Sequence, residues 1–129
     1  MSIVHRLALG ILASSLVAAP AAAADDSFFT HLHTEKAMAN VTVSPARAGP
    51  VEITIQLETM DEKPMTAKAV SVTLSIAGAK PASVAAERRS DDTWLARLSV
   101  PKAGQWTIGL GIAISDTDKV SVEAPIVIK

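Results

Sequence analysis

Val51-Glu52-Ile53-Thr54-Ile55-Gln56-Leu57-Glu58 alternates apolar and polar residues without a break. Successive side chains of an extended chain point to opposite sides. The segment therefore predicts a strand with one buried face (Val51, Ile53, Ile55, Leu57) and one wet face (Glu52, Thr54, Gln56, Glu58). The same period of two recurs in Val70, Val72, Leu74 and Ile76, in Trp94, Ala96, Leu98 and Val100, and in Trp106, Ile108, Leu110, Ile112 and Ile114. Turn-forming clusters separate these runs: Arg47-Ala48-Gly49-Pro50, Gly78-Ala79-Lys80-Pro81, Arg89-Ser90-Asp91-Asp92, Pro101-Lys102-Ala103-Gly104 and Asp116-Thr117-Asp118. Strands are predicted over residues 37–45, 51–59, 68–77, 82–88, 93–100, 105–115 and 119–128. One-sided strands at this spacing, with no helical period among them, predict an all-β fold class: an immunoglobulin-like antiparallel β-sandwich of about seven strands.

Both Trp residues fall on the apolar side of their strands and are expected in the core. Pro125 cannot donate to a ladder, so the last strand is expected at a sheet edge or at a bulge. Gly109 and Gly111 lie opposite the apolar side of theirs, which suggests close approach of another backbone. Arg88 and Arg89 are read with Asp91 and Asp92 as a solvated turn with local ion pairing.

The strands begin well inside the chain. Residues 1–24 have the layout of a secretory signal peptide: a short charged start (His5, Arg6), an apolar stretch from Leu7 to Ala19, then Pro20 and a run of small residues ending in Ala22-Ala23-Ala24. Residues 25–129 then form the single exported domain. It carries 11 basic and 13 acidic residues, and no later stretch is apolar enough to enter a membrane once the signal is cleaved. The expected location is the periplasm.

The composition of the 129 residues narrows the function. Hydrophobic residues make up 49% and the mean hydropathy is +0.31, which excludes a disordered tail. A formal charge of −1 without a basic block argues against nucleic acid as a partner. The absence of Cys removes disulfide frameworks, thiolate metal sites and thiol redox chemistry. No Gly-x-Ser-x-Gly elbow, His-Glu-x-x-His helix or Gly-rich phosphate loop is present, so the chain is not read as an enzyme.

Ligand chemistry is concentrated in two places. His31-Leu32-His33 stands just upstream of the first predicted strand, and in extended backbone residues two apart share a side, so both imidazoles can reach one ion. Met38, Glu35, Asp25 and Asp26 are the nearby candidates to complete such a site. Met60 and Met65 are the distant ones, flanking the charged loop Asp61-Glu62-Lys63-Pro64, where a Met has no core to fill and its thioether faces solvent. Thioethers select Cu(I) and imidazole accepts either oxidation state of copper, so a His and Met set without Cys points to copper, Cu(I) or Cu(II), ahead of zinc. The plainer readings are polar surface for the His pair and a core cap for a loop Met.

The stretch His31-Leu32-His33-Thr34-Glu35-Lys36-Ala37-Met38-Ala39-Asn40-Val41-Thr42-Val43-Ser44-Pro45, followed by Arg47-Ala48-Gly49-Pro50, resembles the start of the extracytoplasmic C-terminal domain of the CopD copper resistance family, also described as YtkA-like. Asp92-Thr93-Trp94 and Val100-Pro101-Lys102-Ala103-Gly104-Gln105-Trp106-Thr107-Ile108 are similar to its second half, so the resemblance spans almost all of residues 25–129. It implies an immunoglobulin-like fold and copper handling through binding, delivery to a membrane importer or tolerance, with His31 and His33 as ligands and Met38 as the weaker candidate. CopD-type proteins carry a multi-helix membrane portion before this domain, where this chain has a signal-like segment. A free-standing module working with a separate CopD-type membrane transporter is the resulting expectation. A metal-free module docking on a membrane partner by an edge strand or a loop face is the alternative.

Overall fold

The structure, a computed structural model, describes residues 26–129. The segment read as a signal peptide, residues 1–24, lies outside the described residues, as does Asp25. Among the described residues nine strands form two antiparallel sheets: β1 (Phe28–His33), β2 (Met38–Ser44), β3 (Gly49–Glu58), β4 (Ala69–Ser75), β5 (Ala82–Ala85), β6 (Glu87–Arg88), β7 (Thr93–Val100), β8 (Gly104–Ala113) and β9 (Lys119–Ile128). One sheet has the order β1-β2-β3-β7-β6 and the other β5-β4-β8-β9. No helix among the described residues is long and apolar enough to cross a membrane.

The alternation read from the sequence decides which face each strand buries. Val51, Ile53, Ile55 and Leu57 of β3 are all at most 2% exposed, and they meet Val70, Val72 and Leu74 of β4 and Ile108, Leu110 and Ile112 of β8 in one apolar cluster. Among the described residues no polar or charged residue is buried. The core therefore carries no desolvated charge to offset, and its stability comes from apolar burial.

Both Trp residues lie in the core, each 4% exposed. Trp106 Nε1 donates to the Lys102 carbonyl at 3.0 Å. Trp94 Nε1 has no hydrogen-bond partner among the described residues, and the Arg88 guanidinium lies over its ring, 5.1 Å from the centroid. The Arg88 side chain also donates to the Ala67 carbonyl and, at 3.2 Å, to Thr66 Oγ1. Arg88 therefore does not pair with Asp91 or Asp92 as the turn reading expected. It closes one side of the sandwich over Trp94, while Arg89 makes a loose pair with Glu87 at 3.8 Å.

Three further expectations change. The first strand, β1, begins at Phe28, so the His pair lies within a strand and not ahead of one. The predicted strand at 82–88 is two: β5 pairs with β4 in one sheet and β6 with β7 in the other. Ala86 makes the crossing, with its N–H donating to the Val70 carbonyl at 2.8 Å. The small residues at Gly109 and Gly111 answer side chains, not backbone. A Cβ on Gly111 would stand 2.7 Å from Ser71 Oγ, and one on Gly109 would touch Glu123 and Thr73. Pro125 sits on β9, which is an edge strand as expected.

Candidate metal centre

Leu32 is 5% exposed and points into the core, which turns His31 and His33 on either side of it out onto the free face of the five-stranded sheet. Their ring centroids are 4.6 Å apart, meeting edge to face at 83°. Antiparallel register then decides their company. His33 is paired with Met38, and Met38 with Glu58; His31 is paired with Asn40, and Asn40 with Gln56. Directly paired residues share a face, with Cβ atoms about 4.5–5.5 Å apart. Met38 thus belongs with the His pair and lies outside the core cluster, although it is only 5% exposed.

The other candidates are distributed elsewhere. Met60 is 52% exposed in the β3–β4 connection, two residues beyond Glu58 and so at the same end of the sheet as His33 and Met38. Met65 packs against the core, and its N–H donates to the Leu57 carbonyl at 3.0 Å. The expectation that neither loop Met has a core to fill is therefore corrected for Met65, because the connection folds back onto the sandwich. Glu35 lies exposed in the β1–β2 turn and lines, with His33 and Thr34, an open cleft bounded by Lys119, Val120 and Ser121. Asp26 pairs with Arg47 at 3.1 Å beyond the opposite end of β1, away from the imidazoles. Among the described residues no group of three or more His, Cys, Asp or Glu is gathered tightly enough to hold a metal ion. Two imidazoles, one thioether and, across from the thioether, the Glu58 carboxylate do share a face.

A row of polar side chains crosses the sheet beside them. His31 Nδ1 and Asn40 Oδ1 are hydrogen-bonded. Asn40 Nδ2 donates to Glu58 Oε1 at 3.0 Å and reaches Gln56 Oε1 at 3.5 Å, and Gln56 Nε2 donates to Asp92 Oδ2 at 3.1 Å. Asn40, Gln56, Glu58 and Asp92 were not among the expected site residues. Gln56 and Glu58 were legible as the wet face of their strand, but only pairing shows what they stand beside.

The row has electrostatic consequences at its far end. Donation from Gln56, then from Thr93 and Ser90, holds the Asp92 carboxyl below its usual range. A carboxyl whose pKa is lowered by folding adds stability above its unfolded value, and that stability is lost as pH falls through the folded one. Asp92→Asn is expected to lower stability at neutral pH by a small, solvent-screened amount. Its difference from the unaltered protein should close as pH drops through and below the ordinary Asp range of about 3.9. Urea unfolding across that range measures it, and a difference independent of pH would contradict the assignment. On the other side of the His hairpin, the hydrogen bond and charge of Asp118 hold the Lys36 ammonium above its usual range and tie the β1–β2 turn to the β8–β9 turn.

No protein-family model, curated protein or solved structure matches the chain.

Proposed function

We propose that this chain is an exported periplasmic copper-binding protein that holds copper on the free face of its five-stranded sheet. His31 and His33 are the anchoring ligands and Met38 the third donor. The observation that carries this reading is the sharing of one face by two neighbouring exposed imidazoles and the thioether paired to one of them. Those are ligands for copper in both oxidation states, the thioether favouring Cu(I). A carboxylate such as Glu35, or Met60 from the connection at the same end, would have to move in to complete a fuller shell.

The resemblance to the CopD C-terminal domain supports the same conclusion and, with the two antiparallel sheets, an immunoglobulin-like class for the sandwich. Copper would be received, held and passed to a membrane transporter of the CopD type. The protein would carry no enzyme activity of its own.

The experiment is titration of the purified protein with Cu(I), Cu(II) and Zn(II) against competing chelators. Stoichiometric, competition-resistant copper binding is expected, and its absence for both copper states would overturn the reading. Met38→Leu keeps the apolar volume and removes the sulfur. It is expected to weaken Cu(I) binding by about tenfold or more, about 1.4 kcal/mol, and to leave Cu(II) binding nearly unchanged. An equal loss for both ions would place Met38 among the packing residues instead.

The metal-free docking module has one observation of its own: Phe29, 61% exposed, stands on the edge strand β1. Exposed strand edges invite pairing with another chain.

A further inference from the structure

We infer that Asn40 decides which nitrogen of His31 is free: it accepts the Nδ1 proton, so that His31 presents Nε2 alone to an ion, and His33 is the ring that turns to join it. The inference rests on the copper reading for what Nε2 would bind. The direction of the hydrogen bonds stands without it.

The polar row can run only one way. A carboxylate oxygen accepts and cannot donate. Asp92 therefore takes a hydrogen from Gln56, which turns the Gln56 amide nitrogen toward Asp92 and its oxygen toward Asn40. Glu58 likewise requires the amide nitrogen of Asn40, at 3.0 Å. Two carboxylates on two different elements thus impose the same orientation on Asn40, and the oxygen left over is the atom against His31 Nδ1. A carbonyl oxygen cannot donate either, so the hydrogen belongs to His31. Turning the Asn40 amide over would set its oxygen against both a carboxylate and the Gln56 oxygen.

The nitrogen bound by a metal is determined by the hydrogen bond the other nitrogen makes. A neutral imidazole without a partner carries its proton mostly on Nε2, which would block that atom. Holding the proton on Nδ1 removes the block at His31 before any ion arrives. Among the described residues no such bond holds the ring of His33, so of the two neighbouring rings it is the one without a tether and the freer to turn.

Long-range proton–nitrogen correlation spectra of the metal-free protein, above the ordinary histidine range of about 6.5, read the tautomers directly. His31 is expected with Nδ1 protonated and Nε2 bare, and His33 with the usual proton on Nε2. In Asn40→Leu, His31 should revert to the pattern of His33. In Glu58→Gln, which lets Asn40 turn over, His31 should revert in part. A proton on His31 Nε2 in the unaltered protein would overturn the inference, as would an unchanged His31 in a folded Asn40→Leu. The first of these readings needs no variant, so a failure to fold does not protect the idea.

Cu(I) titration supplies the second arm. Asn40→Leu is expected to weaken binding by about 10- to 100-fold, and an unchanged affinity with the tautomer released would separate Asn40 from the metal. If the unaltered protein takes up no copper, the proposed function falls, while the spectra still decide the tautomer.

Discussion

Replacing His31 and His33 together with Ala is expected to abolish competition-resistant copper binding and leave the sandwich folded. The loss should be at least about a thousandfold, on the order of 4 kcal/mol, because what remains beside the vacated positions is the Met38 thioether and the Glu58 carboxylate, which already accepts from Asn40. Folding survives for a structural reason. Both rings are exposed, while the inward residue between them, Leu32, stays in the core cluster. Substituting both imidazoles removes no buried apolar surface and strands no buried polar group, since Asn40 keeps its hydrogen bonds to Glu58 and Gln56. Chelator competition measures the affinity and urea unfolding the fold. Unchanged copper affinity in a folded double variant would refute the site, and the docking reading of edge strand β1 would take its place. Zn(II) is the control: a site that prefers Zn(II) to both copper ions would contradict a His and thioether ligand set.

The largest expected effect on stability lies elsewhere, at Ile55→Ala. Strand β3 is the middle of the five-stranded sheet, and Ile55 is fully buried there, paired with Val41 on one side and Trp94 on the other. Removing three carbons at that point deletes apolar burial and leaves a cavity that neighbours on two ladders cannot collapse into, at a cost of about 2–5 kcal/mol. That is a large part of the roughly 5–15 kcal/mol that holds a typical domain folded. The urea midpoint should fall strongly with an unchanged slope. Val127→Ala is the contrast: Val127 is 50% exposed on the edge strand β9, and its truncation is expected to stay within about 0.5 kcal/mol. Similar losses at both positions would mean that the core is not organised around β3.

The two results bear on different levels of the molecule. Copper loss without unfolding would put function on the wet face of a sheet whose dry face is independent of it. The same division explains what was legible in advance. Alternation in Val51–Glu58 is a local property, and it marked both the buried side of β3 and its wet side. The burial of Trp94 and Trp106 followed in the same way.

Strand β1 was illegible for an equally local reason. Its inward residues are Phe28, Thr30 and Leu32, of which only Leu32 is buried, while Phe29 is exposed between them, so the period of two is blurred. The break at Ala86 was illegible because a chain that passes from one sheet to the other can keep its extended pattern while changing partners. Met65 follows the plainer reading, a cap on the core, because charge in a loop does not decide whether one of its residues folds back.

By itself the sequence determined the all-β class, the turns, the inward residues of the long strands and the fact that His31 and His33 share a side. Each of these depends on the geometry of a few consecutive residues. Only the tertiary structure decided that Met38 stands across from His33, that Asn40 stands between His31 and the pair Gln56 and Glu58, and that Asp92 closes the row from a turn 52 residues after Asn40. Those neighbours come from strand register, which the connecting turns and the choice of buried face fix jointly between two strands, so that the residues of one strand do not state it alone.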